Sequence, residues 1–411
     1  MATPSVAAAL HQRLAYLGEQ ITLLQADQKA VQAQLAAIVY PVLTLPNDIT
    51  SEIFLRYSDD YPTLTCSPLL LARVCSSWRQ VALSTHGIWA RFAYEGRHPV
   101  SGRLAMWLSR AGKLPLHIQT PLPAANRPEC VRIRKLLDAY GAQWETLDLV
   151  SDKPIFFPLQ IQGPLPYFRT LTLSSNPSNY GVNTIPTIHD APQLRHVKLL
   201  SIHLTNCQGA LPWSQLTSLE LAEIAFVQCL DILSQTQNLE ILHFHLMSAD
   251  PVPITRHIFP RLHSLTIGYD DSYSVIQHLI LPALRQLHLF WPAEDCASAI
   301  EHLIKRSSCS PSTLILFAKY KPEVDLDFTT NSLSVIPTIK KLELVASAFK
   351  TADLTELFDL IHEDPSFLPA LASQLRDKNR AISARSDARN EDGSRRGDRA
   401  VDFVHHLVRA A

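Results

Sequence analysis

Leu216-Thr-Ser-Leu-Glu-Leu221, Leu239-Glu-Ile-Leu-His-Phe244, Leu262-His-Ser-Leu-Thr-Ile267 and Leu284-Arg-Gln-Leu-His-Leu289 are one six-residue phrase, repeated through the middle of the chain. Its first, fourth and sixth residues are apolar. Working outward, the phrase recurs upstream at Trp144–Leu149, Phe168–Leu173 and Leu194–Leu199, and downstream at Ile339–Leu344. A degenerate copy, Ser312–Phe317, lies inside the long gap before the last one. Apart from that gap, successive copies start roughly 22–26 residues apart.

A period of about 20–29 residues with L-x-x-L-x-L spacing is the signature of a leucine-rich repeat. The expected fold class is therefore an α/β repeat solenoid, each repeat pairing a short strand with a connecting segment. Phe226–Leu233 and Ala297–Ile304 carry apolar residues at helical spacing and are expected helices of such connectors. One repeat cannot bury its own apolar face, so stacking must supply the core. The first, fourth and sixth residues of each phrase are expected to point inward. The third and fifth point out, onto the concave face, because side chains alternate along a strand.

The fifth-position row reads Asp148, Thr172, Lys198, Glu220, His243, Thr266, His288 and Glu343. The third-position row reads Thr146, Thr170, His196, Ser218, Ile241, Ser264, Gln286 and Lys341. Both rows are polar and mixed in sign. There is no basic stripe, which disfavours nucleic-acid and phosphate readers. The middle of the array is the expected target surface: His196, Lys198, Ser218, Glu220, Ile241, His243, Thr266 and His288. Ile241 is apolar where its neighbours are polar, and buried apolar anchors are common hot spots.

Composition agrees with a large core and a protein partner. The 411 residues are 46% hydrophobic and only 18% charged, with a net charge of −1. Nothing draws the whole chain to nucleic acid or to an anionic membrane. The seven cysteines are odd in number and include no CxxC pair, so a reducing compartment is expected, cytoplasmic or nuclear. No apolar run reaches the roughly 18–20 residues that span a bilayer, and His11, Gln12 and Arg13 interrupt any signal-peptide core. Among 17 histidines, His243 with His245 and His405 with His406 are the closest pairs, but no third ligand accompanies either. HExxH, GxSxG, P-loop and GxGxxG motifs are absent. No catalytic, metal or cofactor residue is therefore expected.

Ahead of the repeats, Leu10, Leu14, Leu17, Ile21, Leu24, Val31, Leu35 and Ile38 alternate steps of four and three, with Gln28 in the missing place. That 3.5-residue period lays one apolar stripe along a helix. The stripe fits docking on its own protein, self-association through residues 10–38, or pairing with a different chain. Pro41 ends the helix.

Next, Leu45-Pro-Asn-Asp-Ile-Thr-Ser-Glu-Ile-Phe54 places Pro46 at a helix start, with Ile49, Ile53, Phe54 and Tyr57 expected on one face. Leu71, Val74, Cys75, Trp78, Val81 and Ala82 form a second expected stripe. His86-Gly-Ile-Trp89 closes a small helical bundle.

These residues resemble an F-box: Leu45-Pro46, the Ile49/Ile53-Phe54 helix, Val74-Cys75-x-x-Trp78-Arg79 and the closing Trp89. The loop between the first two helices is longer than usual, and Ser67-Pro68 replaces a commoner acidic or leucine pair. The whole layout resembles the large family of F-box proteins of mushroom-forming fungi, in which a heptad helix and an F-box precede divergent leucine-rich repeats. Leu104–Ile118 and Leu136–Leu149 look like the first two repeats.

The expected organisation is an N-terminal heptad helix over 1–40, an all-α F-box over 41–95, a leucine-rich-repeat solenoid over 96–371 and a charged tail over 372–411, expected to be disordered. What the resemblance implies is a non-catalytic substrate receptor of a Skp–cullin–F-box ubiquitin ligase. The F-box would bind a Skp-type adaptor, and through it a cullin, while the repeats recruit a target protein. The adaptor-binding set is Leu45, Pro46, Ile49, Ile53, Phe54, Val74, Cys75, Trp78 and Trp89, with Trp78 and Trp89 holding the helices together. The alternative is an F-box scaffold without a ubiquitylation role.

Overall fold

A computed structural model describes residues 4–37, 45–60, 68–94, 100–122, 127–151, 163–175, 182–183, 185–204, 209–246, 254–268, 273–290, 296–317 and 333–345, with parts of 356–373. Ile38, Pro41, Cys66, Cys207 and the expected tail beyond residue 373 lie outside the described residues. The chain divides into two compact units, Met1–Ile88 and Trp89–Ala411.

The first unit is helical. Helix α1, Pro4–Ala37, is 34 residues long, and its described side chains are exposed. Of the expected heptad, Leu10, Leu14, Leu17, Ile21, Leu24, Val31 and Leu35 are 46–72% exposed. Among the described residues, nothing in its own unit covers that stripe.

Helix α2 is Asn47–Asp60, with Asp48 in its first turn, where a negative charge complements the helix dipole. Pro46 stands just before the helix rather than within it, and its carbonyl accepts the Thr50 N–H at 3.0 Å. Helix α3 is Pro68–Val74 and α4 is Ser76–Ser84. The expected single stripe from Leu71 to Ala82 is thus broken. Cys75 sits between the helices in an extended conformation, and its Sγ accepts the Trp78 N–H at 3.4 Å as the N-cap of α4. Arg79 Nε donates to the Ala72 carbonyl at 2.9 Å, which ties α4 to α3. Thr85 Oγ1 donates to Ser51 Oγ at 3.0 Å, which ties the end of α4 to α2.

The second unit is α/β, built on one eleven-stranded sheet whose pairings are all parallel. Its strands are β1 (Arg91–Ala93), β2 (Leu116–Leu122), β3 (Trp144–Ser151), β4 (Thr170–Ser175), β6 (His196–Leu200), β8 (Ser218–Ile224), β9 (Ile241–Leu246), β11 (Ser264–Gly268), β13 (Gln286–Phe290), β14 (Thr313–Phe317) and β15 (Lys341–Val345). They lie in chain order, each beside the next. Two-residue strands in the connectors make small parallel pairs of their own: β5 (Val182–Asn183) with β7 (His203–Leu204), and β10 (His257–Ile258) with β12 (Leu279–Ile280). Parallel neighbours need a crossover. Several crossovers are helical: α5 (Ser101–Ala111), α6 (Pro128–Tyr140), α7 (Phe226–Gln235) and α9 (Cys296–Ser307), with a four-residue α8 (Tyr273–Ile276) in another.

The register explains why the phrase repeats. The fourth-position residues Leu147, Leu171, Val197, Leu219, Leu242, Leu265 and Leu287 are Cα partners across successive strands. So are the sixth-position residues Leu149, Leu173, Leu199, Leu221, Phe244, Ile267 and Leu289. All fourteen are at most 2% exposed. The degenerate copy pairs one residue earlier than the expected frame Ser312–Phe317: Leu314 lies opposite Leu287 and Leu316 opposite Leu289, while Ile315 joins the outward row opposite His288, so the inward places are those of Pro311–Leu316. A one-residue slip would turn both apolar ladders outward, so burial pins the alignment. Leu342 and Leu344 of β15 are only part-buried.

Glu129 links two crossovers. Its Oε1 accepts the Val100 and Ser101 N–H groups at 2.7 Å each, and its Oε2 accepts Ser101 Oγ at 2.9 Å. A carboxylate from α6 thereby satisfies the otherwise orphaned donors at the start of α5.

Candidate functional site

Two surfaces carry the expected site residues, one in each unit. In the first, α2 buries a face made of Thr50, Phe54 and Ser58, which are 5%, 0% and 5% exposed. Ile49 and Ile53, grouped with Phe54 on one expected stripe, are separated from it: they are 51% and 47% exposed, and Leu45 is 38% exposed. Ile49 and Ile53 are four apart and so lie one above the other along one side of α2, with Leu45 in the bend just before the helix. A helix that turns two hydroxyl residues inward and two isoleucines outward does not follow from burial of its own apolar groups.

Phe54 meets Trp78 edge-on, ring centroids 5.0 Å apart at 65°. Of these two expected adaptor residues, Phe54 is core to the helical unit and Trp78 is part-buried against it. Val74 is 62% exposed at the end of α3, and Cys75 is half-buried as a cap. Trp89 is fully buried, so it offers no surface to a partner. Its ring is edge-on to Trp107, 5.0 Å away, and the Arg110 guanidinium lies 4.6 Å from its centre. Both of those residues belong to α5, so Trp89 is a core residue of the second unit.

In the second unit the register brings the expected fifth-position row together. Asp148, Thr172, Lys198, Glu220, His243, Thr266 and His288 are successive Cα partners, continued by Ile315 and Glu343. The third-position row aligns likewise, His196 beside Ser218, Ser218 beside Ile241, and Ile241 beside Ser264. His196 and Lys198 are exposed; Ser218, Glu220, Ile241, His243 and His288 are part-buried. Thr266 departs from expectation. It is only 6% exposed, its hydroxyl has no partner among the described residues, and its neighbour Ser264 is buried too. The short side chains on β11 sit below flanking Ile241, His243, Gln286 and His288, so the row dips there instead of presenting Thr266.

Charge is organised along this row. Lys198 Nζ pairs with Glu220 Oε2 at 2.7 Å. Burial holds the His243 imidazole below the ordinary histidine range; Glu220 opposes that shift and Lys198 adds to it. Burial does the same for His288, with His243 nearby adding to it and Glu343 opposing. Both rings are thus kept neutral near pH 7. Burial pushes the Asp148 carboxyl up, against the pull of Lys198.

A basic hollow at the start of the strands lies largely outside the third and fifth rows. Arg169, Gln193, Arg195 and His196 line a recess of about 190 Å³. Arg169 donates to Gln193 Oε1 at 3.1 Å and to Glu145 Oε1 at 3.3 Å, while Arg195 donates to the Pro192 and Leu194 carbonyls at 2.9 Å. The signal was available in the second position of the phrase, where Arg169 and Arg195 stand on adjacent repeats.

Among the described residues no cluster of three His, Cys, Asp or Glu side chains is placed to hold a metal ion. None of the described helices is long and apolar enough to cross a membrane. Cys130, Cys229 and Cys309 are buried free thiols, and full burial pushes that of Cys229 up to about 12, far from a nucleophilic thiolate. No protein-family model and no curated protein matches this sequence.

Proposed function

We propose that this chain is the substrate-receptor subunit of a Skp–cullin–F-box ubiquitin ligase, working in the cytoplasm or nucleus. In this reading α2 to α4 form the F-box, and the eleven-stranded unit is a leucine-rich-repeat solenoid that holds a target protein. The observation that carries it is the outward apolar row Leu45, Ile49 and Ile53 over a core of Phe54 and Trp78. Such a row is what a Skp-type adaptor would cover. The in-register polar ladder from Lys198 to His288 supports the second half, since a ligand laid across it touches several strands at once. The chain contributes proximity: a target held near a charged conjugating enzyme reacts at raised effective concentration.

Affinity purification with and without a proteasome inhibitor tests the role. A target that accumulates under inhibition supports the ligase, and a partner set unchanged by inhibition supports the scaffold reading instead. For the surface, changing Ile241 and His243 together to Asp is expected to cost target binding by at least tenfold while adaptor binding persists. If deletion of the chain beyond Leu371 abolishes target binding and the double variant does not, the ladder is not the target site.

A further inference from the structure

The stripe of α1 is a run of seven exposed apolar side chains among the described residues, and its details select one occupant. Stepping through the helix, Leu14, Ile21, Gln28 and Leu35 fall at heptad position a, and Leu10, Leu17, Leu24 and Val31 at position d. A buried leucine-sized side chain hides roughly 60–120 Å² of apolar surface. Seven such residues on each of two helices give on the order of 1,000 Å² or more, near the size of a standard stable interface.

Three observations choose the arrangement. Ile21 at a, with Leu17 and Leu24 at d beside it, has the two-stranded pattern at the centre of the stripe, which Leu14 and Leu35 at a and Val31 at d do not extend. The seam is flanked by His11, Gly18, Gln25 and Gln32 at e and by Arg13, Gln20, Asp27 and Gln34 at g. Partner choice in coiled coils is set largely by charges at these positions. Here they are mostly neutral, so they neither select a foreign chain nor repel an identical one. In the parallel, in-register pair Arg13 faces Gly18 and Asp27 faces Gln32 of the other copy, and no like charges meet. Last, Gln28 is the single polar seam residue. Parallel pairing in register sets Gln28 against Gln28, where the two amides can bond to each other. The antiparallel arrangement that pairs each a with a d sets each Gln28 against Leu17 and buries two unsatisfied amides. A shift of one heptad meets Ile21 or Leu35 instead.

We infer that residues 10–35 of α1 join two copies of this chain as a parallel, in-register, two-stranded coiled coil whose register is fixed by Gln28. This rests on α1 alone and stands apart from the proposed ligase role.

The test uses the full chain. Sedimentation equilibrium at tens of micromolar is expected to give a dimer. Changing Leu17 and Leu24 together to Asp is expected to give a monomer with an unchanged circular dichroism spectrum outside the loss from α1. Mild oxidation of Gln28→Cys is expected to cross-link it to itself well beyond the unaltered chain, whereas a mixture of Leu17→Cys and Gln28→Cys gives no extra mixed dimer. A monomeric unaltered chain, or a dimer indifferent to the Asp pair, overturns the inference. Preferential Leu17→Cys with Gln28→Cys cross-linking overturns the parallel register.

Discussion

Changing Phe54 to Ala is expected to melt the helical unit while leaving the sheet intact. Phe54 is fully buried, and its ring packs edge-on to Trp78 at 5.0 Å. Removing a buried phenylalanine costs about 3–5 kcal/mol, part of it the edge-on ring contact. The bundle of α2 to α4 spans about forty residues, which at typical stabilities per residue holds only about 2–6 kcal/mol. The substitution thus takes most of what the unit has. Ile49, one turn of contacts away but half exposed, behaves differently: Ile49→Ala is expected to shift stability by less than about 0.5 kcal/mol. Hydrogen exchange followed by mass spectrometry on the full chain separates the two. Peptides from 47–60 and 76–84 should lose protection in Phe54→Ala and keep it in Ile49→Ala, with strand peptides unchanged in both. Equal loss in the two variants would refute the assignment of an inner Phe54 face and an outer isoleucine face.

Two further outcomes follow from the charges. His243 and His288 have folded values depressed below about 6.5, so the unfolded chain takes up protons first as pH falls. Stability is therefore expected to hold above about pH 6.5 and to decline as pH drops below that value, and His243→Asn should flatten the decline in a pH series of thermal melts. Glu129 is held below the usual glutamate range: burial works against the shift, and the bonds from Ser101 and Val100 with the Arg132 charge outweigh it. Its contribution is present above the unfolded value and lost as pH falls through the folded one. Glu129→Ala should cost about 1–3 kcal/mol by denaturant unfolding, because it strands the Val100 and Ser101 donors.

The repeat was legible because its signal is covalent spacing. Apolar residues at the first, fourth and sixth places recur at the period of a strand plus its return, and the resulting ladders, Leu147 through Leu287 and Leu149 through Leu289, are aligned in the sheet. The degenerate copy was found but framed one residue late: with four apolar residues in a row from Leu314 to Phe317, spacing cannot say which pair faces in, and the sheet takes Leu314 and Leu316. The helices at Phe226–Gln235 and Cys296–Ser307 were legible for the same reason. The face of α2 was not. Helical spacing groups Ile49, Ile53, Phe54 and Tyr57 as one stripe, whereas α2 buries Phe54 beside Thr50 and Ser58 and leaves the isoleucines outside, and periodicity cannot tell which side is core. The same limit hid the fate of Trp89, whose place on Trp107 depends on residues beyond the helical segment. Thr266 was misread because alternation gives direction and not depth: short side chains on β11 sink between longer ones on β9 and β13.

The most direct test of the proposed role is calorimetric titration of the full chain with a purified Skp-type adaptor. If Leu45, Ile49 and Ile53 form the contact, burying their exposed halves contributes about 1 kcal/mol each. Changing all three to Ala should then weaken binding by on the order of a hundredfold, at about 1.4 kcal/mol per tenfold, with the melting profile unchanged. One-to-one binding of the unaltered chain, lost in this way, is the predicted result. No heat of binding at tens of micromolar, or full affinity in the triple variant, would contradict the account.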